Sequence, residues 1–162
     1  MPFLKDVESR GISLTKIADE NANKNGLHRT VYWADGKQYT GDWRNNQKNG
    51  KGTQKWKSGA VYDGDWKDGK MSGFGTLSVP DESGGSRRLY AGGWKSGKRH
   101  GYGTQFFANN ETYEGEWFKD RRSGWGRMYY NDDSVYEGEW YDDVRSGTGM
   151  LRLANDNRYE EW

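Results

Sequence analysis

The 162-residue sequence contains no cysteine, two prolines and two histidines. A chain without cysteine forms neither disulfide bonds nor thiolate metal sites, and this favours an intracellular setting. So little proline excludes a collagen-like or polyproline chain. His28 and His100 are the only imidazole groups, and the sequence has no phosphate-loop pattern. We therefore expect no enzyme, no metal site and no cofactor.

Apolar residues and net charge are also scarce. Hydrophobic residues make up 31% of the chain, where about half is usual, and no apolar run approaches the roughly 18 residues of a membrane span. The N-terminal residues lack the basic and apolar regions of a signal peptide. A net charge of +1 gives no long-range attraction to nucleic acid. These absences argue against nucleic-acid binding and leave membrane contact at most peripheral.

Aromatic residues and glycine are abundant. Aromatic residues make up 15% of the chain, with nine tryptophans and eleven tyrosines, and there are 24 glycines. Disordered chains are poor in aromatic residues, so this composition indicates a folded chain despite its polarity. Because aliphatic side chains are few, we expect the stability to come from large aromatic rings.

The aromatic residues and glycines form an internal repeat. Its motif, Tyr-x-Gly-x-Trp, occurs five times at 23-residue intervals, except for one interval of 28 residues between the second and third copies. The motif residues are Tyr39, Gly41, Trp43, Tyr62, Gly64, Trp66, Tyr90, Gly92, Trp94, Tyr113, Gly115, Trp117, Tyr136, Gly138 and Trp140. A Gly-x-Gly pair begins seven residues after each tryptophan, as at Gly50 and Gly52. Such regularity indicates a repeat architecture.

The spacing within the repeat predicts strands. Tyr, Gly and Trp stand at i, i+2 and i+4, so in a β-strand they share one face. The residues two and four positions after Gly-x-Gly alternate in the same way, and each repeat therefore predicts a β-hairpin. We expect tight turns between repeats, as at Asp35-Gly36, and longer turns within them, as over residues 45–49. The strand glycines leave slots that rings from the neighbouring strand cover.

The pattern divides the chain at residue 26. Residues 1–25 are an N-terminal extension with a capping helix at about 13–24, indicated by Ser13 as N-cap and by the stop signal Asn25-Gly26. The remainder, 26–162, forms the sheet. Its units are a half repeat (26–38), five full repeats (39–61, 62–89, 90–112, 113–135 and 136–158) and an incomplete repeat (159–162). Tyr159 predicts an open sheet edge at which a partner or a second copy of the chain pairs, forming a homodimer in the second case.

The motif followed by Gly-x-Gly at this period resembles the MORN repeat (membrane occupation and recognition nexus) over about residues 26–162. The resemblance implies an all-β fold, an elongated, twisted single-layer antiparallel sheet of stacked hairpins. It also implies a non-catalytic scaffold or adaptor of the cytoplasm, often in the sperm acrosome or in the axoneme of a cilium or flagellum. Binding to acidic phospholipids is the alternative role that it implies. Family members of this kind carry further repeats, so the end at Trp162 departs from their pattern.

The face opposite the motif carries further aromatic residues. They are Phe74, Tyr102, Phe106, Phe118, Trp125, Tyr129 and Tyr141. In a single-layer sheet this face is open, and an exposed aromatic cluster is typical of a binding site for a protein partner, taken as an extended peptide or a helix. The alternative is that these rings pack together and stabilise the sheet through cross-strand pairs.

Basic residues recur at the predicted turns within repeats. They are Lys48, Lys70, Lys98, Arg99, Arg121, Arg122 and Arg145. Stacked hairpins would align them along one edge as a patch for anionic lipid headgroups. The alternative, which we favour, is that these are charged turns that keep the edge soluble, because Asp68, Asp120, Asp142 and Asp143 dilute the patch.

Acidic residues recur beside the motif glycine, at Asp42, Asp65, Glu116 and Glu139. A row of carboxylates is a candidate ladder for Ca²⁺. We favour the interpretation that it forms a solvated face paired with nearby basic side chains.

Overall fold

The computed structural model describes residues 22–155 and 157–161, which contain twelve β-strands. The strands are β1 (Gly26–Tyr32), β2 (Gln38–Arg44), β3 (Gln47–Lys55), β4 (Val61–Lys67), β5 (Lys70–Pro80), β6 (Ser86–Lys95), β7 (Lys98–Phe106), β8 (Thr112–Phe118), β9 (Arg121–Tyr129), β10 (Val135–Tyr141), β11 (Val144–Arg152) and β12 (Arg158–Glu161). Each strand pairs with the next along the chain in one antiparallel sheet. The predicted all-β, single-layer sheet of stacked hairpins is confirmed.

The part of the chain that the structure describes contains no helix, and therefore none long and apolar enough to cross a bilayer. Most of the capping helix predicted at about 13–24 lies outside the described residues. Of its range the structure describes residues 22–24, which are not helical.

Each repeat supplies two strands joined by a tight turn. In the fourth repeat, Lys119 and Asp120 connect β8 to β9 with φ angles of 49° and 72°. Positive φ at both central residues is characteristic of the type I′ turn, which matches the twist of paired strands. The prediction of longer turns within repeats is wrong. The five residues 45–49 are not all turn, because β3 already begins at Gln47.

The turns between repeats are the longer ones. Residues 107–111 are closed by two hydrogen bonds, from the Phe107 N–H to the Glu111 carbonyl (2.9 Å) and from the Asn110 N–H to the Phe107 carbonyl (3.3 Å). Asn110 has a φ of 66°, and Gly36 has a φ of 86° in the corresponding turn of the half repeat. The dipeptides predicted for the turns between repeats thus do contain residues with positive φ, as at Gly36 and Asn110, but the predicted lengths of the two kinds of turn are reversed.

A β-bulge follows the motif glycine in every full repeat. In the fourth repeat Gly115 pairs with Gly126, but Trp117 pairs with Arg122, so β9 contributes two more residues than β8 over this stretch. Gly124 lies in the bulge with a φ of 87°, a conformation that glycine adopts at little cost. The bulge therefore explains why the first position of each Gly-x-Gly pair is a glycine.

The core is a row of rings on one face of the sheet. The motif tyrosines and tryptophans, here called the motif rings, are all buried. Each tyrosine packs edge to face against the tryptophan of its own motif, and the first four also pack against the tryptophan of the next, with centroids 5.1–5.4 Å apart and interplanar angles of 82–90°. This geometry is favoured between aromatic quadrupoles. The row therefore continues from repeat to repeat without a second layer.

Hydrogen bonds fix the orientation of the motif rings. The Tyr113 hydroxyl donates to the Glu116 carbonyl at 3.0 Å, and its ring covers Gly126 of the paired strand. The Trp140 indole N–H donates to the Gly126 carbonyl at 3.2 Å. These contacts recur in the other repeats, but the buried Trp43 N–H finds no acceptor within the described chain.

Packing against the motif rings extends to Lys24, two residues before β1. Lys24 is 6% exposed, and its ammonium group lies 5.0 Å from the Trp43 ring centroid. Its carbonyl accepts the Asn46 N–H at 2.9 Å, as the Arg99 carbonyl accepts the Asp120 N–H. Lys24 thus repeats the role of later basic residues, and the predicted division assigned it to the extension.

Candidate partner-binding face

All seven aromatic residues predicted to bind a partner lie on the reverse face, defined as the face of the sheet opposite the motif rings. Strand register places them there. Tyr102 lies opposite Glu116 and Phe106 opposite Thr112, whereas Gly103 pairs with Gly115 on the motif face. Because side chains alternate along a strand, the same register carries Trp125 and Tyr129 to the reverse face. The structure thus places the whole predicted set on one surface.

Five of the seven rings are exposed. Phe74 is 71% exposed, Tyr102 57%, Phe118 53%, Trp125 48% and Tyr141 72%. Phe106 and Tyr129 are half-buried, and the Arg88 guanidinium lies 5.2 Å from the Phe106 ring centroid. The seven rings make no stacking contact with one another, although Phe118 packs against His100 at 5.3 Å. The face therefore presents separate rings to solvent.

Sequence reasoning missed four other exposed apolar residues on the reverse face. They are Leu27, Tyr32, Val144 and Met150. The register puts Val144 directly opposite Tyr141, and Met150 opposite Glu137. The alternation that located the seven rings also locates these residues, provided that the strand boundaries are known.

The carboxylates beside the motif glycine accept hydrogen bonds from the bulge. The Asp65 carboxylate accepts the Phe74 N–H at 2.9 Å, and the Glu116 carboxylate accepts the Trp125 N–H at 3.3 Å. Burial acts to raise the pKa of Asp65, but the Lys51 ammonium and the Phe74 N–H outweigh it and hold this pKa below its ordinary value. No group of side chains suited to hold a metal ion occurs among the described residues. The recurring acids therefore have a local role in satisfying the bulged backbone.

Four of the seven predicted lipid-binding residues lie on the motif face. The Arg99 guanidinium is 4.3 Å from the Trp117 ring centroid and that of Arg122 is 4.5 Å from Trp140. Arg145 covers Tyr136, and Lys48 covers Trp66, in the same way. Such cation–π contacts stabilise the rings that they cover.

These basic residues also connect neighbouring repeats. Arg99 is bound by Asp120 and Arg122 by Asp143, each through a backbone N–H and a side-chain nitrogen. Burial lowers the pKa of Lys48 to about 8, while the surrounding rings favour its charged form. Half-buried cations of this kind act mainly within the fold.

The other three basic residues, Lys70, Lys98 and Arg121, are exposed at the turns on the reverse face. Lys70 lies directly opposite Lys67, and Lys98 lies opposite Lys95. Arg121 forms an ion pair with Asp142. The structure therefore divides the predicted patch between the two faces.

The motif face carries an open apolar groove beside the second and third repeats, with a volume of about 650 Å³. Trp56, Leu77 and Leu89 line it, with Arg99 and Asp120 among its polar residues. Met71 lies here at the position that a basic residue occupies in the other repeats, opposite the motif tryptophan. Loss of that cation leaves this stretch of the motif face more apolar than the rest.

A family model for the MORN repeat matches residues 39–61, 62–83, 90–112, 113–135 and 136–158, which together make up more than half of the chain. The chain belongs to the MORN repeat family. The matched segments begin at the five motif tyrosines, and the second ends at residue 83, within the hairpin tip between β5 and β6. Proteins of the MORN repeat family are generally binding proteins rather than enzymes.

Two curated relatives of this MORN repeat protein carry the name MORN repeat-containing protein 3. The human protein is 64% identical over 101 residues, which cover 61% of this chain and 42% of the relative. The Xenopus laevis protein is 49% identical over 53 residues, which cover 33% of this chain and 22% of the relative. The chain therefore matches less than half of the length of either relative.

Proposed function

We propose that this MORN repeat protein is a non-catalytic scaffold that holds a segment of a protein partner along the reverse face. The observation that carries the proposal is the set of five exposed, mutually separate rings on one side of a single-layer sheet. Exposed aromatic clusters are typical of protein-binding surfaces, where tyrosine and tryptophan dominate the binding energy.

The backbone beneath the rings supports the proposal. Tyr102 lies in β7 and Trp125 in β9, and both strands are paired on two sides. Rings fixed on paired strands lose little conformational entropy when a partner binds, which favours affinity. Addition of a partner strand at the Tyr159 edge, a homodimer through that edge, and a place in a ciliary or sperm assembly remain predictions.

Truncation of two reverse-face rings tests the scaffold. We expect the double variant Tyr102→Ala and Trp125→Ala to remain folded and to bind a captured partner at least about thirtyfold more weakly, because truncating even one central ring costs about 2 kcal/mol. Affinity capture identifies the partner, and calorimetry with the purified partner then measures Kd. The matched control is Leu27→Ala with Tyr32→Ala, which removes exposed apolar surface from the other end of the same face. Equal Kd values for the two double variants would contradict the proposal.

The like-charged pairs at the turns favour acidic phospholipid binding as the second candidate. Lysines that face each other repel, and an anionic headgroup between Lys95 and Lys98 would relieve the repulsion. In that case phosphatidylserine vesicles bind the protein in a salt-sensitive manner, and Lys95→Gln with Lys98→Gln abolishes the binding. Vesicle binding that the double variant retains would count against this candidate.

A further inference from the structure

Rings and carboxylates alternate across the reverse face of the third to fifth repeats. Tyr102 lies directly opposite Glu116, and Trp125 lies directly opposite Glu139. Glu116 also adjoins Trp125, since its carboxylate accepts the Trp125 N–H. Neighbouring strands are about 4.8 Å apart, so a partner crossing the strands meets a ring and a carboxylate in turn.

Negative charge is concentrated around these rings. Two neighbouring rows of side chains cross the reverse face here, one with Tyr102 and Trp125 and the other with Thr104 and Arg127. Together they contain four carboxylates, those of Glu114, Glu116, Glu137 and Glu139, and one guanidinium, that of Arg127. Arg127 is bound to Glu137 at 3.0 Å. Glu116 and Glu139 are exposed and form no ion pair with another described residue. Because the whole chain has a net charge of +1, the excess of carboxylates is local to this surface.

On the motif face, arginine side chains of this chain cover the tryptophan rings. There Arg99 and Arg122 lie 4.3 and 4.5 Å from tryptophan ring centroids. On the reverse face, Tyr102 and Trp125 have no cation over their rings from any described residue. Rings that alternate with carboxylates are suited to bind guanidinium and ammonium groups, through the ring quadrupole and through charge-assisted hydrogen bonds.

We infer that the partner segment is cationic, and that its arginine and lysine side chains dock on the strip formed by Tyr102, Glu114, Glu116, Trp125, Glu137 and Glu139. This inference rests on the proposed scaffold function and names the chemistry of the partner. A helix suits the spacing, because Tyr102 and Trp125 are two strands and thus about 10 Å apart, and seven helical residues rise about 10.5 Å. The same carboxylates disfavour nucleic acid and anionic membranes as occupants of this strip.

A pair of helical peptides tests the inference. One is alanine-rich with arginines at i, i+3 and i+7, and the other has glutamate at those positions. We expect the full chain to bind the arginine peptide, and Glu116→Gln with Glu139→Gln to weaken that binding about tenfold or more in fluorescence anisotropy. Glutamine retains an oxygen that accepts the bulge N–H, so the fold is preserved. The matched control, Glu82→Gln with Glu111→Gln, removes the same charge away from the strip and should bind as the wild type does.

Three outcomes separate this inference from the scaffold proposal. Equal affinity for the two peptides, or equal weakening by the two glutamine pairs, overturns the cationic partner. If the natural partner is lost with Tyr102→Ala and Trp125→Ala but binds unchanged to Glu116→Gln with Glu139→Gln, the scaffold stands and the cationic inference is wrong. If the natural partner tolerates all of these substitutions, both are wrong.

Discussion

Replacing Gly103 with alanine is expected to lower the free energy of unfolding by about 3 kcal/mol, the upper end of the usual cost of overpacking. A Cβ at residue 103 would lie 2.7 Å from Cε2 of Tyr90, and closer still to its Cζ and hydroxyl oxygen. Tyr90 is fully buried between Trp94 and Trp117 and cannot move aside without disturbing both. Urea unfolding followed by tryptophan fluorescence measures the loss.

The matched control lies two residues earlier in the same Gly-x-Gly pair. Gly101 has a φ of 82°, and a Cβ at this residue would meet no heavy atom within 4 Å, whereas Gly103 has no left-handed φ. Gly101→Ala should therefore cost about 1–2 kcal/mol from backbone strain alone. If Gly103→Ala proved no more costly than Gly101→Ala, the tyrosine would not need a glycine beneath it.

Tyr113→Ala is expected to lower the free energy of unfolding by about 3–5 kcal/mol, as for other large aromatic residues in cores. The ring is fully buried and packs against Trp117 at 5.2 Å and Trp140 at 5.3 Å. Tyr113→Phe keeps the ring and removes only the hydrogen bond to the Glu116 carbonyl, so it should cost about 1 kcal/mol. Urea unfolding of the purified variants measures both losses.

Tyr102→Ala serves as the control for the loss of a tyrosine ring from a strand. Tyr102 lies on the reverse face and is 57% exposed, so its truncation should change the free energy of unfolding by less than about 1 kcal/mol. A similar cost for Tyr102→Ala and Tyr113→Ala would mean that the two faces contribute equally to stability, contrary to the burial of the motif rings.

The aromatic core was predictable because it depends on a local rule. Residues at i, i+2 and i+4 share a face of any strand, and five copies at fixed spacing made the strand assignment secure. The same alternation placed Tyr102 and Trp125 on the opposite face. Neither result required knowledge of which residues pair across strands.

The turn lengths were not predictable from the motif, because the bulge changes the count. Gly50 lies seven residues after Trp43, and the motif alone predicts that five of the six residues between them, 45–49, form a turn. In the structure Arg44 pairs with Gln47 and Trp43 with Lys48, so only Asn45 and Asn46 are left for the turn. The extra residues lie in the bulge that ends at Gly52.

The overlong predicted turn also explains why the basic residues were predicted to share one edge. Adjacent residues at a turn can point toward the same edge, but adjacent residues in a strand point to opposite faces. Arg121 and Arg122 both lie in β9, so Arg121 pairs with Asp142 on the reverse face while Arg122 covers Trp140 on the motif face. The alternation of rings with carboxylates likewise depends on register, which the sequence does not specify without the bulge.

Ring contacts from repeat to repeat hold this one-layer sheet together. A double-mutant cycle across one such contact tests this most directly. Tyr113 and Trp140 belong to the fourth and fifth repeats and pack edge to face at 5.3 Å. Urea unfolding of Tyr113→Leu, Trp140→Leu and the double variant should give a coupling energy of about 1 kcal/mol or more. Additivity within about 0.3 kcal/mol would contradict the claim.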